Sequence, residues 1–304
     1  MTRTIPKKDN LKYQIGSGDP FVAEIEPDET VRIECEVNCN GGLITGPESR
    51  LTRDNVRFPF LNPSTGPIRV AGAGPGQALS VHIEAVDLDP LGYTGMFPHC
   101  GLFPDWIWTR EDRYFDTRPK RVADGVIHWS ERLKIPVRPM VGVCGVAPKF
   151  GSVLALDNGE HGGNLDVQEI APGARLILPV EHDGAYLFLG DCHARQGDGE
   201  VAGMGATEIA ATVTFRTALA PRPKRMTWPR FETPTHIGTI GCARPLEDAM
   251  RIAFAELIYW LADDFGIPEP DAYMLLGTVA EARGTQAVNP KFTYVCKIAK
   301  EFLV

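Results

Sequence analysis

The sequence has no uninterrupted apolar run of about 18 residues, the length that a membrane-spanning helix needs, so we expect no membrane span. It also has no block of basic residues: 31 Lys and Arg stand against 39 Asp and Glu, for a net charge of -8. Nucleic acid is therefore not an expected partner. Residues 1–8 contain no apolar core of the kind that a signal peptide needs.

The number and spacing of the cysteines argue against a disulfide framework. The seven cysteines are an odd number and include no Cys-x-x-Cys pair; Cys35 and Cys39 are the closest in sequence. This pattern favours reduced thiols. With 43% hydrophobic and 23% charged residues, the chain can bury a substantial core. We therefore expect a cytoplasmic globular protein.

Glycine (31) and proline (25) are abundant, and short runs with the alternation of β-strands dominate the first part of the chain. Many short strands at spacings of about ten residues favour a sandwich or barrel over alternating βαβ units. The sequence thus predicts a mainly β fold with β-sandwich and barrel-like architecture. The predicted strands are 30–37, 68–70, 78–86, 135–137, 141–146, 175–180, 185–189 and 208–215.

The C-terminal part has helical periodicity instead. Apolar residues recur at helical spacing over 245–265, and Gly266 is placed to end this helix. A second helix is predicted to begin at 268–271 and a final strand to cover 292–298, which gives a smaller α+β part. We predict three regions: a β-rich region at 1–137, a central β region with the site motifs at 138–220, and a C-terminal region with two helices at 221–304. A connector at 220–224 lies at the boundary between the last two regions.

Two polar stretches, 161–166 and 190–200, each follow an apolar, strand-like run. Ionisable groups at the end of a buried strand are costly unless something uses them. Such a concentration of ionisable side chains is typical of a hydrolytic site with a metal ion. The alternative for 190–200 is a solvated turn with a capped aspartate.

Strand parity orders the second stretch. If the extended conformation persists, the side chains of Asp191 and His193 point to the same face, with Cα atoms about 7 Å apart. They can then bind one metal ion or one water. Cys192 faces the opposite side, which argues against it as a nucleophile. Glycines then allow turns that return Asp198 and Glu200 to the same neighbourhood. The residues of common parity are Leu187, Leu189, Asp191 and His193.

The first stretch is organised in a similar way. Gly162 and Gly163 give the backbone conformational freedom between His161 and the polar pair Asn164 and Asp166. Mixtures of Asn, Asp and His suit zinc or a harder divalent ion, and no thiolate is obviously positioned. Spacing alone does not choose the metal.

The aromatic stretch 98–115 lies among charges and prolines without a clear period. It is either a long loop packed on the body of the protein or a lid over a pocket, since long loops within compact domains are often functional.

The ordered motifs of the chain resemble the acetamidase/formamidase family. The resemblance covers nearly the whole sequence, and its central blocks are the most specific. The blocks are Asn62-Pro-Ser-Thr-Gly-Pro67, Gly72-x-x-Pro-Gly76, Arg138-Pro-Met-Val-Gly-Val-Cys-Gly-Val-Ala-Pro148, Gly162-Gly-Asn-Leu-Asp166, Leu178-Pro-Val180, Gly190-Asp-x-His-Ala-x-Gln-Gly-Asp-Gly-Glu200, Glu208, Ala272-Tyr273 and Gln286-Ala-Val-Asn289.

This resemblance implies hydrolysis of a small-molecule amide to carboxylate and ammonia, a bound divalent metal and a homo-oligomer, a dimer or larger. Zinc is the favoured ion and calcium the alternative. We expect Glu200 to be the general acid–base and Gln196 and Asn164 to hydrogen-bond the substrate or the oxyanion. The predicted metal ligands are Asp166, Asp191 and His193, assisted by Asn38 or His161.

Three departures from the family pattern bear on the chemistry. Asn38 stands where members usually have an Asp, Cys192 and Arg195 replace residues that are more often small, and the 98–115 stretch suggests a pocket suited to a bulkier amide. Two alternatives stay open: a thiol-dependent amidase, and a non-enzymatic β-sandwich binding protein with a structural divalent cation.

Overall fold

The computed structural model describes residues 2–39, 41–52, 54–96, 100–103 and 116–303. In these residues the chain is mainly β, with a small α+β part at the C-terminal end, which confirms the predicted fold class. Most of the 98–115 stretch lies outside the described residues, so its interpretation as a lid stays a prediction. Across the described ranges, no helix is both long enough and apolar enough to cross a membrane.

Most of the predicted strands are present, with shifted ends and several additions. The strands before residue 130 are β1 (Arg3–Ile5), β2 (Leu11–Lys12), β3 (Gln14–Gly16), β4 (Ala23–Ile25), β5 (Val31–Cys35), β6 (Ser64–Val70), β7 (Gln77–Met96), β8 (Asp116–Ala123) and β9 (Val126–His128). The later strands are β10 (Lys134–Pro136), β11 (Met140–Gly145), β12 (Ser152–Leu154), β13 (Asn158–Gly159), β14 (Gly162–Asn164), β15 (Arg175–Pro179), β16 (Leu187–Arg195), β17 (Gly203–Pro221), β18 (Arg230–Glu232), β19 (His236–Ala243), β20 (Glu281–Gln286) and β21 (Phe292–Ala299).

Two long strands, β7 and β17, form the spine of a curled sheet that joins 19 strands of the described chain. They pair antiparallel from Met96 opposite Gly203 to Gln77 opposite Pro221, with shifts of register on the way. Such irregularities increase local twist and help a sheet to curl. Because β17 extends to Pro221, the first two residues of the predicted connector are strand.

Strand β16 lies where several parts of this sheet meet. It pairs antiparallel with β11 on one side and with β6 and β17 on the other. The register places His193 opposite Glu208 of β17, and β11 also pairs with β14, which ends at Asn164. The two polar stretches of the sequence are therefore brought together across β11.

The predicted parity of β16 is wrong for its leucines. Leu187 and Leu189 pack in the main hydrophobic core together with Cys192, not on the side of Asp191 and His193. Asp191 has a left-handed backbone conformation, with φ of 50°, which interrupts the two-residue alternation. The prediction for Cys192 is confirmed, because its side chain lies in the core.

The two predicted C-terminal helices are confirmed as α1 (Leu246–Phe265) and α2 (Glu269–Val279), and a 3-10 turn (Lys300–Phe302) follows β21. Gly266 ends α1 in the left-handed conformation expected of a C-cap. Leu257 and Leu261 of α1 pack with Leu276 of α2 against β19 and β21. Strand β20, which precedes β21, was missed because Glu281–Gln286 contains no apolar alternation.

An ion-pair group fastens β20 and β21 to the segment that follows Asp166. Arg283 Nη2 lies 2.8 Å and Lys297 Nζ lies 3.1 Å from the Glu169 carboxylate. Burial alone would raise the pKa of Glu169, but the hydrogen bonds and charges of Arg283 and Lys297 outweigh it and hold that pKa below its usual range.

We expect Glu169→Gln to destabilise the protein by about 2–3 kcal/mol at neutral pH, because a largely buried charged hydrogen-bonding group is lost. Since the folded-state pKa lies below the unfolded value of 4.5, this contribution is complete above pH 4.5 and disappears as the pH falls through the folded pKa. Urea unfolding across the acidic range measures it. Glu281→Gln, which removes an exposed partner of Lys297, should cost under about 1 kcal/mol; equal losses would contradict the interpretation.

Candidate active site

Four of the predicted site residues converge in one buried cluster. Asp166, Asp191, His193 and Glu200 are each 5% exposed or less, and Glu208 of β17 joins them. The Nε2 atom of His193 lies 2.9 Å from Glu208 Oε2 and 3.7 Å from Asp191 Oδ1. Its Nδ1 atom lies 4.0 Å from Asp166 Oδ1. The imidazole thus stands between two groups of carboxylates.

Many polar atoms of this cluster have no hydrogen-bond partner among the described residues. The Nδ1 atom of His193, the Oε1 atom of Glu208 and one oxygen each of Asp166, Asp191 and Glu200 are in this state. The Nε2 atom of His193 and the Oε2 atom of Glu208 approach each other at 2.9 Å. Buried polar groups are normally paired, and an unpaired group costs free energy. The concentration of such atoms at one point indicates a site built for a ligand.

The backbone around the cluster is strained in the same region. Asp166, Asp191 and Glu200 all have positive φ, with values of 50°, 50° and 45°. Residues other than glycine adopt this conformation at a cost and persist in it most often at functional sites. Gly142 of β11 provides the space: a Cβ there would stand 2.6 Å from the Asp191 carbonyl oxygen and 2.8 Å from Asp166 Oδ1.

Hydrogen bonds from distant segments orient two of the acids. Asn62 Nδ2 donates to Asp191 Oδ2 at 2.8 Å, and Asn289 Nδ2 donates to Asp166 Oδ2 at 2.6 Å. Each carboxylate therefore keeps one oxygen fixed and turns the other towards His193. The Asn289 loop is itself shaped by Gln286, whose Oε1 accepts from the backbone N–H of Asn289 at 3.0 Å.

Crowding of the carboxylates in a buried space perturbs their protonation. Burial, and then the neighbouring Asp191, raise the pKa of Asp166 to about 7. Burial and the surrounding acids also raise the pKa values of Glu200 and Glu208. Burial lowers the pKa of His193, but the charges of Glu208 and Asp191 outweigh it and raise that pKa well above its usual value. The cluster thus attracts positive charge.

The donor set fits a divalent metal ion. Two overlapping triads, Asp166–His193–Glu200 and Asp191–His193–Glu208, each place one ligand atom per residue within 4.8 Å of the others. An imidazole nitrogen with carboxylate oxygens is a donor set that zinc accepts, whereas calcium sites in proteins use oxygen ligands. A cation would also relieve the repulsion between the acids.

A cavity of about 620 Å³ gives access to the cluster. Its polar lining comes from both polar stretches and from the segments that orient the acids, and the rest of its described lining is mainly apolar. The polar lining residues near the cluster are Asn38, Asn62, Asn164, Asp191, Glu200 and Asn289.

Two predicted site residues lie beside this cavity rather than in the cluster. Asn164 lines it, and its Oδ1 is buried without a described partner. Asn38 also lines it, but its oxygen accepts a hydrogen bond from the Tyr93 hydroxyl and its Nδ2 lies 3.2 Å from the Met204 sulfur. A ligand role for Asn38 would therefore compete with Tyr93.

Three other predicted residues have different surroundings. His161 is buried, and its pKa is lowered to about 4 by burial and by Lys291, against the effect of Asp157. Gln196 donates to the backbone carbonyls of Asp166 and Thr285, at 3.2 and 3.1 Å. Asp198, expected to return to the site, instead accepts a hydrogen bond from Arg283 Nε at 2.8 Å on the surface, so that expectation is wrong.

Glu208, Asn62 and Asn289 were not among the predicted site residues. Glu208 begins a run of apolar and β-branched residues. A carboxylate in such a strand is costly to bury, and this feature of the sequence could have indicated a functional role for Glu208. The two asparagines lie 129 and 123 residues from the acids that they orient, and only the folded chain brings them there.

The cysteines near the site are poorly suited to nucleophilic catalysis. A hydrogen bond with Cys35 and burial raise the pKa of Cys192 well above its usual value, and burial raises that of Cys39. The thiolate is the reactive form, and these environments disfavour it. This geometry argues against the thiol-dependent alternative.

Comparison with known proteins identifies the family to which this sequence is similar. The model of the acetamidase/formamidase family matches residues 17–151 and 151–298. A solved acetamidase structure from Yersinia enterocolitica is 36% identical, with a TM-score of 0.93 over 100% of this chain and 93% of its own. An acetamidase from Bacillus halodurans is 31% identical, with a TM-score of 0.90 over 98% of each chain.

Curated relatives are more distant and longer. A formamidase from Methylophilus methylotrophus is 27% identical over 66% of this chain and 61% of its own length. The matches to the three curated relatives span only 61–63% of the length of those proteins.

Proposed function

Because the chain belongs to the acetamidase/formamidase family, we propose that it hydrolyses a carboxamide to a carboxylate and ammonia at the buried cluster. The observation that carries the proposal is the convergence of four carboxylates on His193, with unpartnered atoms, beside a cavity that Asp191 and Glu200 line. In this reaction a water oxygen bonds to the carbonyl carbon, the C–N bond breaks, and the nitrogen leaves with protons that the site must supply.

We propose that Asp191, His193 and Glu208 hold a divalent ion, preferably zinc. The chemistry that such an ion supplies when bound is polarisation of the amide carbonyl and easier deprotonation of water. Glu208 supports this assignment because its Oε1 has no described partner and its Oε2 lies 2.9 Å from His193, the other proposed ligand, whereas Asp166 and Asp191 each have one oxygen engaged by an asparagine. Asp166 stays a predicted ligand of the second triad.

Glu200 is the group that we assign to proton transfer. It lines the cavity, its Oε2 is buried without a described partner, and its raised pKa suits a carboxyl that takes a proton and keeps it until the leaving nitrogen needs it. The turn that carries it is fastened to β20 through hydrogen bonds of Gly199. Glu200 can therefore hold one position through the reaction.

The two predicted amide side chains have different roles in this proposal. Asn164 lines the cavity, and its Oδ1, which has no described partner, is available to accept a hydrogen bond from the substrate N–H₂ group. The side-chain N–H₂ group of Gln196 donates to the backbone carbonyls of Asp166 and of Thr285 in β20. Because it links these two segments, we assign it a positioning role. A cytoplasmic location, a homo-oligomer and the three-region division are further predictions.

The test is ammonia release from a panel of amides by metal-depleted protein and by protein reloaded with zinc, manganese or calcium. We expect turnover to vanish on depletion and to return best with zinc. Full activity without metal would contradict the metal assignment and not the hydrolysis. Ion binding without hydrolysis of any amide would instead support the non-enzymatic alternative.

A further inference from the structure

The cavity is much larger than the smallest amides require. Its volume of about 620 Å³ compares with roughly 30 Å³ for one water molecule in the liquid. Formamide and acetamide would leave most of this space to water, whereas cavities of a few hundred Å³ hold drug-sized ligands. Because ammonia is a small leaving group, the surplus volume is available to the acyl part of the substrate.

Much of the described lining of the cavity is apolar. Several residues supply aliphatic and thioether surface, and such a lining suits a methylene chain or a ring. These residues are Leu61, Leu156, Met204, Val288 and Pro290.

Arg244 is the one cationic side chain among the described residues that line the cavity. It is exposed, and its guanidinium carbon lies 4.3 Å from the centre of the Phe292 ring. No described side chain forms an ion pair or hydrogen bond with it. A guanidinium stacked on an aromatic ring keeps its edge free for a planar anion, which it can bind through two parallel hydrogen bonds.

The charge of the site restricts where an anion can bind. Asp191 and Glu200, two buried acids of the cluster, line the cavity, whereas the lining residue Arg244 is exposed. An anionic group on the substrate would be repelled by the acids and attracted by Arg244. The buried and the exposed parts of the lining therefore select opposite charges.

We propose that the substrate is a primary amide with an extended acyl group that ends in a carboxylate or a similar anion, bound by Arg244. This inference rests on the proposed amide hydrolysis and adds the substrate class. Arg244 binds the end remote from the reacting carbonyl, and it sets specificity rather than taking part in bond cleavage.

The test compares half-amides of dicarboxylic acids with neutral amides of equal length: glutaramate with pentanamide, and adipamate with hexanamide. We expect the zinc-loaded enzyme to have a higher kcat/KM for the anionic member of each pair. Arg244→Ala should lower that preference about tenfold, mainly through KM, and Arg244→Glu should reverse it. Arg251→Ala is the matched control, because Arg251 is an exposed arginine of α1 paired with Asp248, and it should leave the preference unchanged.

A second measurement does not depend on turnover. Calorimetric titration of metal-depleted protein, in which no turnover is expected, with glutaramate should give an affinity that falls about tenfold in Arg244→Ala, whereas the neutral pentanamide should not distinguish the two proteins. If neutral amides are hydrolysed as well as or better than the anionic ones, or if Arg244→Ala changes both equally, this inference is overturned and amide hydrolysis stands. If no amide is hydrolysed, the proposed function fails, and the inference fails with it.

Discussion

Glu200→Gln is expected to lower kcat by about 10²–10⁴-fold, the range that general acid–base catalysis contributes, while the protein stays folded and binds its metal. Glutamine has the same shape but cannot take up a proton and release it to the leaving nitrogen. The assigned ligands Asp191, His193 and Glu208 are untouched, so the zinc content of the purified variant should match that of the wild type. Single-turnover ammonia release and metal analysis measure the two properties separately.

The matched control is Asp198→Asn, two residues earlier on the same turn. Asp198 is exposed and contacts Arg283 rather than the cluster, so its neutralisation should leave kcat within about twofold of the wild type. Equal losses in both variants would show that the turn, and not the Glu200 carboxyl, is what the reaction needs. Loss of zinc in Glu200→Gln would instead make Glu200 a ligand of the triad with Asp166 and His193.

The elements that the sequence predicts well are those with a strong local period. Apolar residues at helical spacing placed α1 and its C-cap at Gly266, and alternation placed most of β5, β11 and β15. Asp191 and His193 were correctly paired because only one residue separates them. Local rules were sufficient there, since the neighbours in sequence are also neighbours in space.

The rest of the site depends on contacts between distant segments. His193 contacts Glu208 because β16 pairs with β17, and no local sequence pattern predicts the register of that pairing. The left-handed backbone of Asp191 interrupts the alternation of side chains along β16. The prediction that Asp191 and His193 share one face was therefore correct, whereas the prediction that Leu187 and Leu189 share that face was wrong. Functional sites are where local preferences and the final structure are expected to disagree.

Glu208→Gln is expected to increase the stability of the metal-free protein and to abolish its stabilisation by zinc. In wild-type protein the raised pKa of Glu208, caused mainly by burial, means that ionisation opposes folding. That cost is absent below the unfolded value of 4.5 and grows as the pH rises towards the folded pKa, so the gain in the variant should be larger at pH 8 than at pH 5.

Thermal unfolding with and without zinc measures both effects. Zinc at about a hundred times its Kd should stabilise the wild type by about 2.7 kcal/mol and the variant by almost nothing. A variant that is destabilised at every pH, or one that zinc stabilises as strongly as the wild type, would remove Glu208 from the ligand set.

Glu256→Gln distinguishes this behaviour from the general effect of neutralising a buried glutamate. Glu256 is 3% exposed, and its Oε1 lies 2.7 Å from Nη2 of Arg230, which is 1% exposed. Its neutralisation leaves a buried guanidinium unpaired and should cost about 3–5 kcal/mol, while the response to zinc persists. Two buried glutamates should thus respond in opposite directions, because one balances a fixed positive charge of the protein and the other is assigned to a charge that the metal brings.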